Sequence, residues 1–159
     1  MTNNDVLRRL RYSFDLSDSD MLSIFKLAEY ETTRTVVTDW LKPEEHEQYK
    51  NLPDKQLATF LNGLIYKNRG KRTDGPLMKP ESKLDNNLIL KKLKIALELR
   101  TDEIVDMFKA IDKEITLNEL SAFLRNPKQS QYKDCKDQYL RNFLSAIQKT
   151  YRGDSMMFD

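Results

Sequence analysis

The apolar residues at the start of the chain recur at steps of three and four, the spacing that lines one face of an α-helix. Leu7, Leu10 and Phe14 mark a first helix over residues 4–16, with Asn3 or Asn4 available to cap its free N–H groups. A second helix, over residues 18–30, takes Ser17 as cap and turns Met21, Ile24, Phe25 and Ala28 inward. A third begins at Thr33 or Thr35, carries Val36, Val37, Trp40 and Leu41, and stops before Pro43. A fourth starts at Asp54 as cap and buries Leu57, Phe60, Leu61 and Leu64. No stretch alternates with period two, so the pattern predicts an all-α protein.

The same pattern then begins again. Shifted by 83 residues, the chain aligns with itself without a gap: Asn3-Asn4 meets Asn86-Asn87, Phe25-Lys26 meets Phe108-Lys109, and Trp40-Leu41 meets Phe123-Leu124. About 17 of 63 positions are identical, and many others keep their chemistry, such as Val6/Ile89 and Arg8/Lys91. In the second copy "TLNE" at residues 116–119 matches a capping box, Pro127 ends the third helix, and Asp137 opens a helix burying Leu140, Phe143, Leu144 and Ile147. The expectation is two tandem pseudo-symmetric four-helix repeats, with Trp40 and Phe123 in equivalent buried places. A repeat of this size hides only about 60% of its unfolded surface, so the two should pack together around a shared core.

The repeated "QYK" at residues 48–50 and 131–133 precedes the fourth helix, where core packing does not dictate residue identity. Two readings are open. Tyr49 and Tyr132 anchor the loop against the core, or the loop contacts a ligand and is present twice.

Chain breakers cluster between the copies. Gly70, Gly75, Pro76 and Pro80 fall among Lys67, Arg69, Lys71, Arg72, Lys79 and Lys83, which face only Asp74 and Glu81. This predicts a first repeat over residues 3–66, a basic, flexible, protease-sensitive linker over 67–85, a second repeat over 86–148 and a frayed tail over 149–159.

Composition limits the function classes. The 159 residues carry a net charge of +2, and a third of them are charged. No apolar run approaches the roughly 18–20 residues of a membrane span, and the N-terminus lacks a secretory pattern. Cys135 is the only cysteine, so no intramolecular disulfide can form. A cytoplasmic protein without membrane contact is expected. His46 is the only histidine, and a Cys–His dyad across the repeats is the weakest of the readings. Paired cysteines, histidines at helical spacing, a calcium loop and a glycine-rich phosphate loop are all missing from the sequence. The expectation is a binding protein, not an enzyme, with no metal and no cofactor.

Two features point to a partner. The second and third helices of each repeat, joined by three or four residues, have the outline of a helix-turn-helix, with Ala110 at its close approach. Its would-be reading helix offers Arg34 in one copy and Asn118 in the other, and Glu31 and Glu114 stand where a turn glycine is common. Arg8, Arg9 and Arg11, echoed by Lys91, Lys92 and Lys94, form basic stripes expected on the outer face of both first helices, and the linker adds Lys71 and Arg72. Two readings are open for these residues: a solvated helix face, or a surface for DNA or RNA or for an acidic protein partner. Regulatory nucleic-acid binding and protein adaptor work therefore both stand.

The stretch "NNDVLRRLRYSFDLSDSDMLSIFKLAEY", with "LDNNLILKKLKIALEL" and "CKDQYLRNFL", resembles the bacterial YehS-like family, domain of unknown function 1456. The resemblance covers residues 3–148. It implies a small cytoplasmic bacterial protein with a duplicated domain, and it carries over neither an activity nor catalytic residues.

Overall fold

The computed structural model describes residues 1–71 and 75–154. Among them lie eight helices and no strand: α1 (Asn3–Ser13), α2 (Asp18–Leu27), α3 (Arg34–Leu41) and α4 (Asp54–Arg69), then α5 (Asn86–Ala96), α6 (Thr101–Lys109), α7 (Leu117–Leu124) and α8 (Asp137–Tyr151). The protein is an all-α, two-repeat fold, as the pattern predicts.

Local chemistry sets the helix ends. Ser17 caps α2 in a capping box with Asp20, and Thr116 caps α7 with Glu119. The expected caps of α1, α4 and α8 differ. Thr2 caps α1 and Asp85 caps α5, which frees the paired asparagines for another task. Asp54 and Asp137 are the first residues of their helices, not caps, and their carboxylates serve tertiary contacts. The C-termini of α1, α2, α5 and α6 share one device. Asp15, Glu29, Glu98 and Asp112 adopt left-handed backbone with φ of 51°, 57°, 52° and 58°. Each is followed by a residue whose N–H bonds five residues back, as in Leu16 N to Arg11 O at 3.0 Å and Lys113 N to Phe108 O at 3.0 Å. This is the Schellman geometry, and it ends α2 at Leu27 rather than at residue 30.

The repeats are interlaced. The first helix of each packs on the last helix of the other: α1 beside α8, and α5 beside α4. The paired helices run in the same direction. Along α4 and α5, Leu84 N donates to Asp54 Oδ2 at 2.9 Å, Lys92 Nζ to Asn62 Oδ1 at 2.6 Å, and Asn68 Nδ2 to Ala96 O at 2.9 Å. Along α1 and α8, Met1 N donates to Asp137 Oδ2 at 2.9 Å, Arg9 Nη2 to Ser145 Oγ at 2.7 Å, and Arg152 Nη1 to Tyr12 O at 2.7 Å. The first two bonds of each set match under the 83-residue shift, and the counterpart of Arg152 to Tyr12 is Arg69 Nη1 to Ile95 O at 3.4 Å.

One continuous apolar cluster joins both repeats, with Trp40 and Phe123 buried at equivalent places. Phe25 centres the first half, 5.3 Å from Phe60 and 5.7 Å from Trp40, while Phe108 stacks on Phe143 at 6.4 Å in the second.

The linker and tail are shorter than expected. Helix α4 continues through Arg69, and the segment after Gly75 lies on it: Met78 N donates to Tyr66 Oη at 2.7 Å, and Glu81 reaches Lys92 at 3.0 Å. Helix α8 extends to Tyr151, and Asp154 Oδ2 accepts from Tyr12 Oη at 2.7 Å. The expectation of a frayed tail from residue 149 is therefore corrected up to Asp154. Arg72 lies outside the described residues.

Candidate functional site

The asparagine pairs brace each loop before the fourth helix. Buried Asn4 donates to Trp40 O at 2.9 Å and Lys50 O at 2.8 Å, and accepts from Leu52 N at 3.0 Å. Asn87 does the same with Phe123 O at 3.0 Å, Lys133 O at 2.8 Å and Cys135 N at 2.9 Å. Asn3 and Asn86 add bonds to Asp54 Oδ1 at 2.6 Å and Asp137 Oδ1 at 2.8 Å. The lysine of each Gln-Tyr-Lys thus offers its main-chain carbonyl to the clamp, while its tyrosine is half-buried. Much of what recurs in these loops is architecture.

Cys135 and His46 occupy different environments. Cys135 is buried, and burial first, then the nearby Asp137 and Asp85 carboxylates, pushes its thiol up to about 12. Such a thiol is a poor nucleophile at neutral pH. His46 is exposed and its Nδ1 accepts from Gln48 N at 3.1 Å.

The basic stripes do not form a continuous outer face. Arg9 and Lys92 are only 3% and 8% exposed, because the face that carries them packs on α8 and α4 of the opposite repeat. In the first repeat the remaining cations are locally neutralised. Arg8 pairs with Asp5, and Arg11 and Arg34 converge on Asp18 at 2.7 and 2.8 Å. Hydrogen bonds from Arg34 and then Arg11 hold the Asp18 carboxyl below the usual range, against the opposing effect of its partial burial. In the second repeat Leu88 and Thr101 replace those acids. Lys91 is exposed there and Lys94 is half-buried, and neither forms an ion pair among the described residues.

The helix-turn-helix outline is looser than expected. Residues 28–33 separate α2 from α3 and residues 110–116 separate α6 from α7, so the connections run to six and seven residues, not three or four. The Schellman termini and the following extended stretch to the threonine caps account for the length. Ala110, expected at a close approach, is exposed, as is Asn118.

Two hollows collect residues that the repeat pattern does not single out. A cavity of about 490 Å³ opens where α4 and α5 end, lined by Tyr66, Arg69, Lys71, Leu77, Met78 and Ile95 among others. Met78 and Ile95 are 39% and 37% exposed. Lys71 Nζ lies 5.5 Å above the Tyr66 ring, and Arg69 Nη1 donates to Ile95 O at 3.4 Å. At the equivalent end of α8 and α1 the chain fills the place itself. Arg152 stacks on Tyr12 at 3.8 Å, Tyr151 meets Phe14 at 5.2 Å, and Asp154 stands where the first repeat has Lys71. The second hollow, about 600 Å³ between α1 and α8, brings Arg8, Arg9 and Arg141 together with Asp5, Glu44 and Glu45. The repeat could not mark Arg141, whose counterpart is Ala58.

Residues 3–70 and 86–153 each match the family described as "Protein of unknown function (DUF1456)". The chain belongs to that family. It is 37% identical over 147 residues to "Uncharacterized protein YehS" of Escherichia coli (strain K12), covering 92% of this chain and 94% of that protein. No solved structure matches. The connecting stretch 71–85 lies between the two family segments, so Lys71, Leu77 and Met78 of the first hollow lie outside them. Within the family segments, the Asn-Asn clamps supply a structural reason for the repeated Asn-Asn pair. Among the described residues, no helix is long and apolar enough to cross a membrane, and no group of His, Cys, Asp and Glu side chains is placed to hold a metal ion.

Proposed function

We propose that the protein is a cytoplasmic adaptor, not an enzyme, and that it binds an acidic, apolar-anchored peptide segment of another protein in the groove at the ends of α4 and α5. The observation that carries this reading is the unequal finish of the two repeats. At one end Asp154 brings a carboxylate to Tyr12 and Arg152, with Arg152 Nε 3.6 Å away. At the other, Tyr66, Met78 and Ile95 form an apolar floor, Arg69 and Lys71 supply positive charge, and neither cation forms an ion pair among the described residues. A partner carboxylate beside an apolar side chain complements that groove in charge and hydropathy.

The test is a photo-crosslinking amino acid at Ile95 in living bacteria, with one at exposed Val36 as control. The expected result is a discrete protein adduct from position 95, mapping to a segment that mixes acidic and apolar residues. It should be lost when Arg69→Glu and Lys71→Glu are combined. No adduct at position 95, or one that survives those changes, would overturn the reading.

Nucleic-acid binding is a second reading, favoured by Lys91 and Lys94, whose local acids are absent in the second repeat. It requires a mobility shift at low salt that falls steeply as salt rises and vanishes in Lys91→Glu with Lys94→Glu. Micromolar protein that shifts nothing at low salt would remove it.

A further inference from the structure

We propose that the cleft between α1 and α8 binds the phosphate or carboxylate group of a small polar ligand, seated on Arg9 and Arg141. This site is separate from the groove at the ends of α4 and α5 and stands whether or not that groove holds a peptide.

The starting point is a difference between two residues that the repeat makes equivalent. Lys92 is buried and compensated: its Nζ donates to Asn62 Oδ1 at 2.6 Å and lies 3.0 Å from Glu81 Oε1. Arg9 is more deeply buried and keeps only the neutral half of that arrangement. Its Nη2 donates to Ser145 Oγ at 2.7 Å, the counterpart of Asn62. Its Nε is buried without a hydrogen-bond partner, and no carboxylate lies at ion-pair distance among the described residues. Glu81, the acid that compensates Lys92, comes from the segment joining the repeats, and among the described residues no acid takes that place beside Arg9.

A charge taken out of water without a partner is strongly disfavoured, and more so beside a like charge. Arg9 has both conditions: burial, then the Arg141 guanidinium, pull its proton affinity down, with only Asp5 opposing. Asp5 is already engaged by Arg8 and by Thr2. An oxyanion supplied from outside completes the set. The guanidinium fork matches the spacing of oxygens on a carboxylate or phosphate, and the free Nε proton lies on that fork.

The rest of the cleft limits what the anion is attached to. Asp5, Glu44 and Glu45 line it with Pro43 and Thr2. This acidic border repels a polyanion such as a nucleic acid, and it accepts hydrogen bonds from amino or hydroxyl groups. The ligand class is therefore a small molecule with one anionic group and a cationic or hydroxylated remainder.

The experiment uses the full chain labelled with ¹⁵N arginine. Inorganic phosphate and acetate are titrated separately, at ionic strength held constant with sodium chloride. The readout is the Arg9 Nε–H NMR signal, assigned by its loss in Arg9→Met. The expected result is a saturable shift with one probe or both; phosphate alone identifies a phosphate group, acetate alone a carboxylate. Arg141→Gln, at an exposed position, should weaken the binding about tenfold, and Arg125→Gln should leave it unchanged. A response that rises linearly for both probes, or one that Arg141→Gln does not alter, overturns the site. If Arg9→Met does not fold, Arg9→Lys supplies the assignment and the Arg141→Gln arm still decides.

Discussion

Gly63 of α4 crosses Ile24 of α2 so closely that a Cβ on the glycine would lie 2.0 Å from the Ile24 carbonyl oxygen. That oxygen is main chain within a helix and cannot turn aside. Helix propensity alone says that Gly63→Ala should gain about 1 kcal/mol. The crossing says the opposite: α2 and α4 must separate, at a cost of about 1–3 kcal/mol or more as overpacking. The counterpart is Ala146, buried where α8 meets α6, so Ala146→Gly should lose about 1 kcal/mol through propensity. Urea unfolding of both variants checks this. A more stable Gly63→Ala would mean that the crossing is looser than described.

Much of this fold could be read from residue spacing, because burial leaves a periodic trace. The eight helices among the described residues and the matching burial of Trp40 and Phe123 follow from apolar residues at steps of three and four, the duplication from the 83-residue shift, and the Ser17 and Thr116 caps from the hydroxyl residues that precede their helices. The interlacing could not be read that way. Periodicity shows that α1 has an inner face, but not whether α4 or α8 covers it. Periodicity places Arg9 and Lys92 on the outside for this reason, whereas both are buried. A cation in a helix reads as solvated, and only the position of the opposite repeat shows it to be enclosed. The groove was hidden because Met78 and Ile95 are far apart in sequence and Lys71 has an acidic counterpart, Asp154.

The four left-handed acidic residues are a reservoir of unused stability. A residue with a Cβ at such φ costs roughly 1–2 kcal/mol relative to a relaxed backbone, and glycine avoids most of that. An acid there also faces the negative end of the helix dipole. Glu29→Gly and Glu98→Gly should therefore each stabilise the protein by about 0.5–1 kcal/mol after the glycine's extra unfolded-state entropy is counted. Glu114→Gly, at an exposed position without positive φ, is the control and should not stabilise. Thermal melts that rank the three alike would show that the backbone is not strained at these sites.

Asn4 and Asn87 hold main-chain groups that have no alternative partner in the interior. Replacing either by Ala leaves two carbonyls and one N–H of the bracing loop unpaired, as the distances to Trp40, Lys50 and Leu52 or to Phe123, Lys133 and Cys135 show. Unsatisfied groups cost about 1–3 kcal/mol each, softened where water enters at the exposed lysines, so each variant should lose about 2–4 kcal/mol. Hydrogen exchange gives the sharper reading: the Leu52 amide in Asn4→Ala, and the Cys135 amide in Asn87→Ala, should lose protection first. Equal protection in variant and parent would show that the clamp is not what holds the loop.

Lys92 and Glu81 provide a closed thermodynamic cycle. Glu81→Gln removes the countercharge and leaves the buried ammonium on Asn62 alone. The Glu81 side chain is one-third exposed, so solvent screens part of the loss, and about 1–2 kcal/mol is expected. Lys92→Met removes the buried charge itself, leaving Asn62 Oδ1 without its donor but releasing the ammonium from an apolar setting. The double variant Lys92→Met with Glu81→Gln should therefore be more stable than Glu81→Gln alone, a coupling of about 1 kcal/mol or more. Arg9 tests the same physics without the acid. Because no carboxylate pairs with it among the described residues, Arg9→Met in ligand-free buffer should be neutral or stabilising, where Glu81→Gln is harmful. Urea unfolding of the parent and the four variants, at matched ionic strength and without phosphate, measures every term. A strongly destabilised Arg9→Met would mean that the guanidinium is compensated within the fold, and the two equivalent cations would then be alike after all.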